Sequence, residues 1–298
     1  MAKETPPTES DKEKDPYNQF LISEYLRLGS IDAVFKEHHH QLYVSYPTFA
    51  RLRQSWYGHG VVEKAGPNTS VSELLHVLAM FADTDMPLES FYRRHVPHFI
   101  NTNIHTCYRV LQKIKEGTVR RHGTALVITP SDQPESILVG QDISLNDPRL
   151  GQPGNFSLPM TYSKKTEKKH LSLRRVLERE VFTQQVIDGS FPYHLLPADP
   201  QPFGQIIIAD ILVNIYHLPL SQQTLKNFSS FKIVDHQLSS LDQLVSSPQK
   251  DYRSGLADIL KLYSDYLFST NKATNSSTIP TCQLNRQLAY ATSPASSS

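Results

Sequence analysis

The chain's 298 residues suffice for about two domains, each with a core of its own, and exclude a single small module. Lys and Arg number 30 against 29 Asp and Glu, and the net charge of +1 excludes both an acidic solvating chain and a protein that is basic all over, so nucleic-acid binding would need a local patch. Cys107 and Cys282 have no zinc-like spacing, and neither an apolar leader nor a run of about 18 apolar residues is present, so the chain reads as cytoplasmic, with free thiols and no membrane contact.

In chain order, residues 1–15 are charged, Pro-bearing and without apolar periodicity, and a disordered tail is expected there. From Tyr17 to about Arg121 the pattern is helical. It divides at "EKAGPNTS", where Gly66 and Pro67 stop one helix and Thr69 or Ser70 caps the next. Residues 16–66 hold "NQFLISEYLRLGSIDAVFKEH", two short helices around Gly29, and then "SYPTFARLRQSWYGHG", a third helix opening at Ser45 and ending at Gly58. Residues 67–122 repeat the plan. Here "VSELLHVLAMFAD" and "PLESFYRRHV" precede "NTNIHTCYRVLQKIKEG", with Asn101 or Thr102 as cap and Gly117 as terminator.

Two three-helix units, each with a polar-capped third helix, resemble the tandem helix-turn-helix regions of transposase-like proteins and winged-helix regulators, and "TVRRHG" follows the second like the edge of a wing. A helix N-terminus with short polar and basic side chains can enter the major groove while the preceding helices hold its angle. The resemblance implies double-stranded DNA as a partner. Asn103, His105 and Arg109 would then face base edges, and Lys113, Lys115, Arg120 and Arg121 would touch phosphates. In the first unit Arg51 and Arg53 lie two apart, so one is expected to read a base and the other to touch a phosphate. Against this stands the plain reading of a solvated basic face on a small bundle; the repetition favours DNA.

From Thr124 the period changes to short β-branched runs. "TALVIT", "SILVGQD", the turn "GQPGNFSLP", the helix "TEKKHLSLRRVLEREVF", the strand "IIIADILVNIYHL", "FKIVDHQL" and the closing helix "YRSGLADILKLYSDYLF" follow one another. This order resembles the Nudix hydrolase superfamily over about residues 123–268. The fold class expected is therefore α+β, an all-α tandem helix-turn-helix (winged-helix-like) region followed by a Nudix-like α/β/α sandwich with a mixed sheet at 123–270. Residues 271–298, rich in Ser, Thr and Asn, are expected to be a second disordered tail.

The family's box sets carboxylates on one helix face to hold a divalent metal against a pyrophosphate. With Thr161 at the box Gly, Glu167 matches the first Glu and Arg175 the Arg, but Val176 and Arg179 stand where Glu is expected and Glu180 alone remains of the final pair. A shift of one residue makes Arg174 the Arg and Glu178 the first of the pair, with Arg179 again in the second place. Glu178 and Glu180 are about 200° apart around a helix, so they cannot both face one metal. Leu173, Val176, Leu177 and Val181 form the apolar stripe, and Glu167 with Arg175 has a plain reading as a pair across the loop.

The "HHH" run at 38–40 reads as a solvated surface, Trp56 with Tyr57 as a core anchor, and Tyr216 and His217 as strand core. The resulting expectation is a DNA-binding transcriptional regulator whose catalytically degenerate Nudix-like domain senses a nucleotide or phosphorylated metabolite without a cofactor; a homodimer is left open. The alternative is an Mg2+-dependent Nudix hydrolase of a nucleoside diphosphate derivative, with Glu167, Arg175, Glu178 and Glu180 as the site and Glu180 on the metal. Whether the chain is an enzyme stays open between the two.

Overall fold

The computed structural model describes residues 14–66, 71–96, 102–143, 155–247, 252–268 and 279–291. Residues 1–13 of the expected first tail, the cap candidates Thr69, Ser70 and Asn101, and the turn at 151–154 lie outside the described residues.

Three helices open the chain: α1 (Pro16–Leu28), α2 (Ile31–Glu37) and α3 (Tyr46–Ser55). Short polar side chains set their starts. Asp15 accepts the N–H of Tyr17, Ser30 that of Ala33 and Ser45 that of Thr48, each satisfying an amide that the first turn leaves without an intrahelical partner. Gly29 ends α1 at φ 86°, a left-handed conformation open to glycine without a Cβ clash, and the chain reverses there into α2. A second set follows: α4 (Val71–Ala82), α5 (Leu88–His95) and α6 (Ile104–Lys115). The cap of α6 is Asn103, not Asn101 or Thr102: its Oδ1 accepts the N–H of His105 at 2.8 Å, and Thr102 is fully buried.

The strands are β1 (Arg121–Pro130), β2 (Ser136–Asp142), β3 (Phe156–Ser157), β4 (Met160–Ser163), β5 (Gly204–Ile208), β6 (Ile211–Leu220) and β7 (Ile233–Ser240). One sheet has the order β4-β1-β6-β5, with β1 parallel to β6 from Arg121 opposite Ile211 to Pro130 opposite Leu220, and with antiparallel strands at both edges. The other, β3-β2-β7, is antiparallel. Helices α7 (Lys169–Glu180), α8 (Thr183–Asp188), α9 (Gln222–Leu225), α10 (Leu241–Ser246), α11 (Leu256–Phe268) and α12 (Gln283–Ala291) complete a mixed α+β fold.

The paired strands β1 and β6 dictate how the helices are distributed. Leu126 and Ile128 point to one face of the sheet, Ala125 and Val127 to the other, and all four are fully buried. A parallel pair with no polar face needs cover on both sides. One face packs against α1, α2, α3, α7 and α8. The other packs against α4, α5, α6, the second sheet, α11 and α12. The two three-helix units thus enter different apolar clusters on opposite faces of one sheet, where the sequence pattern suggested a tandem pair.

The expected C-terminal tail is corrected by α12. Cys282 and Leu288 are fully buried, α12 packs on α4 and α6, and the Asn285 side chain bonds both backbone groups of Ala209, at 2.7 and 2.9 Å. Two apolar side chains at helical spacing, Leu284 and Leu288, are enough to dock a short helix onto an existing groove, and the polar composition of the surrounding segment conceals them. Both cysteines are free and buried. Among the described residues, no helix is long and apolar enough to cross a membrane.

Candidate functional site

Helix α7 buries Leu173, Val176 and Leu177, and Val181 just beyond its end, as the stripe requires. That orientation sends its charged residues to three separate places. Arg175 meets Glu167 in a forked pair at 2.7 and 2.5 Å, and its Nε donates to the Glu63 carbonyl at 2.6 Å. Both side chains are buried, so the pair braces the loop before α7 against the helix.

Glu178 faces away from that loop. One oxygen accepts the Val62 N–H at 2.8 Å and the other Arg174 Nε at 2.5 Å, and burial raises its pKa against the pull of Arg174. Glu180 ends the helix: Oε2 accepts the Met160 N–H at 2.8 Å and Oε1 the Lys232 ammonium at 2.9 Å. Met160 and Thr161 lie in the extended strand β4.

A magnesium ion needs near-octahedral oxygen ligands at about 2.0–2.1 Å. Glu167, Glu178 and Glu180 diverge, each already holds a cationic side chain, and among the described residues no group of three or more His, Cys, Asp or Glu converges on one point. These residues do not fit a divalent cation.

Beside Glu180 lies a cavity of about 360 Å³, walled by the end of α1, the linker after α3, β4, α7 and the approach to β7. Among the described residues, six basic side chains and two carboxylates, Asp142 and Glu180, line it. Asp142 is bound by Arg253 at 3.0 Å. Arg179 is buried with its guanidinium 4.9 Å from the Tyr25 ring centroid; Nη2 reaches the Val62 carbonyl at 3.4 Å, and among the described residues Nε meets no hydrogen-bond acceptor. Burial holds its pKa below the ordinary arginine value. Lys64 is depressed as well, first by burial and then by repulsion from Arg179 and Lys232.

The residues expected on DNA divide. Arg51, His105, Arg109 and Lys115 are exposed. Arg109 leans on Thr106 Oγ1 at 3.1 Å, half-buried Lys113 on Glu116 at 2.7 Å, and Asn103 is occupied as the cap of α6. Arg53 and Arg121 are corrected, since neither reaches solvent freely enough to touch a duplex. Arg53 shares the inward face of α3 with Phe49, four residues earlier, and donates to the Tyr25 hydroxyl at 3.3 Å. Arg121 opens β1 and is buried against Asp210, donating also to the Tyr162 hydroxyl at 2.5 Å; Arg120 bonds the same fully buried Asp210 at 3.1 Å.

Of the other side chains, Trp56 is a core anchor whose Nε1 donates to the Val186 carbonyl at 2.8 Å. His38 reaches Glu24 at 2.8 Å, and His217 lies near Thr129 and Tyr263 at 2.9 and 3.1 Å. Sequence reasoning missed Lys64, Asp142, Lys232 and Arg253. Their only signal is a lone charge beside apolar neighbours, as for Lys232 in "FKIVDHQL" and Lys64 in "VVEKAGP".

No protein-family model matches the sequence, and no curated protein matches it. Solved structures resemble parts of it. A MutT protein from Methanosarcina mazei Go1 is 12% identical over 52% of this chain and 98% of its own, with a TM-score of 0.36. An ADP-ribose pyrophosphatase from Streptococcus suis 89-1591 is 14% identical over 54% and 98%, with a TM-score of 0.33. A bifunctional NMN adenylyltransferase/ADP ribose pyrophosphatase from Francisella tularensis, complexed with AMP and a Mn ion, is 11% identical over 79% and 73%, also with a TM-score of 0.33. Likeness at this level assigns no chemistry to this chain.

Proposed function

We propose that the protein is a DNA-binding regulator whose Nudix-like half has exchanged metal-dependent hydrolysis for the binding of a nucleotide or other phosphorylated small molecule. The observation that carries this reading is the environment of Glu180. The surviving carboxylate of the box pair accepts from Met160 N–H and Lys232 Nζ, beside a cavity in which basic side chains outnumber acidic ones. A site of that charge attracts phosphate and repels a hard cation. Double-stranded DNA remains the proposed partner of α6, whose outward face carries Arg109, Lys113 and Lys115.

Thermal denaturation of the full chain with AMP, ADP and ADP-ribose, each in EDTA and in Mg2+, tests the ligand half. A ligand at about 100 times its Kd stabilises the folded state by about 2.7 kcal/mol. Turnover of any of these at about 1 per second or faster, lost in Glu180→Gln, would replace the reading by the hydrolase. Random-site duplex selection with the full chain tests the regulator half: enrichment of one sequence supports it, and no preference at low salt removes it.

A further inference from the structure

The loop from β4 into α7 reads "SKKTEKKH", and Lys164, Lys165, Lys168 and Lys169 all stand exposed on it. Glu167, the one carboxylate among them, is turned inward: its Oε1 accepts the Lys164 backbone N–H at 2.8 Å and Arg175 Nη1 at 2.7 Å, and its Oε2 accepts Arg175 Nη2 at 2.5 Å. The loop is thereby pinned with its acid directed to the interior and its lysines in solvent. Lys164 reaches Glu63 at 3.5 Å, a glutamate that also meets Arg53 at 3.4 Å, and Lys169 donates to the neutral Gln201 side chain at 2.7 Å.

Helix formation does not ask for this charge. Lys168 is the N-cap of α7 and makes no side-chain cap, and Lys169 and His170 follow in a first turn that holds no acid. Cations there oppose the helix dipole, where Asp, Glu, Ser or Thr would stabilise it. A departure from the local rule at an exposed place, from which the interior gains nothing, points to a partner outside the fold. The lysines also continue a line of cations from the second helical unit. The register of β1 on β4, with His122 opposite Ser163, sends Arg120 and the lysine loop out at the same end of that pair. His122 registers the approach: burial lowers its pKa first, and the charge of Lys165 lowers it further. Exposed Arg120 in turn follows the end of α6 at exposed Lys115. Arg120 and Arg121 share the fully buried Asp210, which leaves an excess of positive charge at that junction.

We propose that Lys164, Lys165, Lys168 and Lys169, joined to Lys115 of α6 through Arg120, form a phosphate-contacting surface on the Nudix-like half, against which the backbone of a DNA duplex lies. This rests on duplex DNA being a partner, as read under Proposed function, and adds where on the second half the duplex runs and by what chemistry it is held. Lysine ammonium groups on flexible stems act as point charges; they neutralise the phosphates of any sequence and read no base. The surface therefore supplies affinity and orientation, and sequence preference is left to α6. With 30 Lys and Arg against 29 Asp and Glu, the chain as a whole has no general attraction for a polyanion, and a local band of this kind is what such binding needs.

Fluorescence anisotropy of the full chain with a short random-sequence duplex, followed across a salt series, tests the surface. The variant K164Q/K165Q/K168Q/K169Q is compared with K14Q/K36Q/K226Q/K261Q, which removes the same charge from exposed positions elsewhere. Each phosphate contact adds about 0.9 to the slope of log affinity on log salt, so the loop variant is expected to flatten that slope by about 3–4 units. Its low-salt binding is expected to weaken by about a hundredfold, while the control variant changes the slope by less than about one unit. If the loop variant does not fold, K164Q/K165Q and K168Q/K169Q are measured separately, each with about half the change in slope. A slope unchanged in the loop variant, or equal losses in the loop and control variants, would overturn the surface and leave the α6 reading standing. Vesicles of equimolar phosphatidylcholine and phosphatidylserine form a second arm: binding there that depends on the loop lysines, with duplex binding indifferent to them, would overturn the assignment in favour of a membrane. Failure of the wild-type chain to bind any duplex at low salt would remove this surface and the DNA reading together.

Discussion

Helices α3 and α6 have the same place in their three-helix units and similar polar caps, yet they treat their arginines in opposite ways. On α3, Arg53 falls on the covered side with Phe49, and its guanidinium is held over Tyr25. On α6 the buried positions are Cys107, Val110, Leu111 and Ile114, and Arg109 stays in solvent between them. A one-position difference in phase relative to the apolar stripe therefore decides whether a cation stabilises the interior or remains available to a partner. The same division separates Arg121, sealed against Asp210, from Lys115 a few residues before it.

That comparison breaks first at Asp210. Asp210→Ala would strand Arg121 as a buried charge and take a partner from Arg120, so a loss of about 3–5 kcal/mol in chemical denaturation is expected. A loss below about 1 kcal/mol would mean that Arg121 is not sealed inside, and its place on DNA would reopen. Next comes Arg109→Ala. With a selected duplex it should cost about 1–3 kcal/mol of binding while leaving folding stability unchanged within about 0.5 kcal/mol. Arg53→Ala is the mirror experiment: about 1–2 kcal/mol of stability lost through packing and the contact with Tyr25, and no change in affinity for DNA. Lys113→Ala has the smallest effect, a salt slope flatter by about one unit for every duplex sequence alike.

A pH titration extends the contrast to Lys64, another residue of the first unit that faces inward. Its folded pKa lies below the ordinary 10.5, so its charge is lost earlier than that of a surface lysine. The stability linked to a depressed base is present above the unfolded value and declines as pH falls through the folded one. In denaturation curves recorded across the alkaline range, Lys64→Gln is expected to remove this decline. An unchanged profile in that variant would mean that burial does not hold Lys64 down.

The apolar stripe of α7 was legible because Leu173, Val176 and Leu177 recur at helical spacing, and so was the pairing of Glu167 with Arg175, eight residues apart across one turn and a short loop. The caps Ser45 and Gly29, the doubly apolar "TALVIT" and the core role of Trp56 were legible for the same reason: each is a local rule acting over a few residues. Asn103 as the cap of α6 was missed by one or two positions, because neighbouring Thr102 has almost the same capping chemistry and only packing, which buries Thr102, separates the two.

The sequence by itself therefore determined most of the elements and their periods, and the divergence of Glu178 and Glu180 around one helix, since these depend on residues close together in the chain. Tertiary structure alone decided which face each unit covers, because both sides of the β1–β6 pair are apolar and neither periodicity nor composition says which helix takes which side. It also decided the docking of α12 and the gathering of Lys64, Arg179 and Lys232, which are 115 and 53 positions apart in the numbering and meet only when the linker, α7 and the approach to β7 close around one cavity. The physical reason is common to all of these. A charge or an apolar side chain acquires its energy from the surface that covers it, and that surface is built by distant parts of the chain.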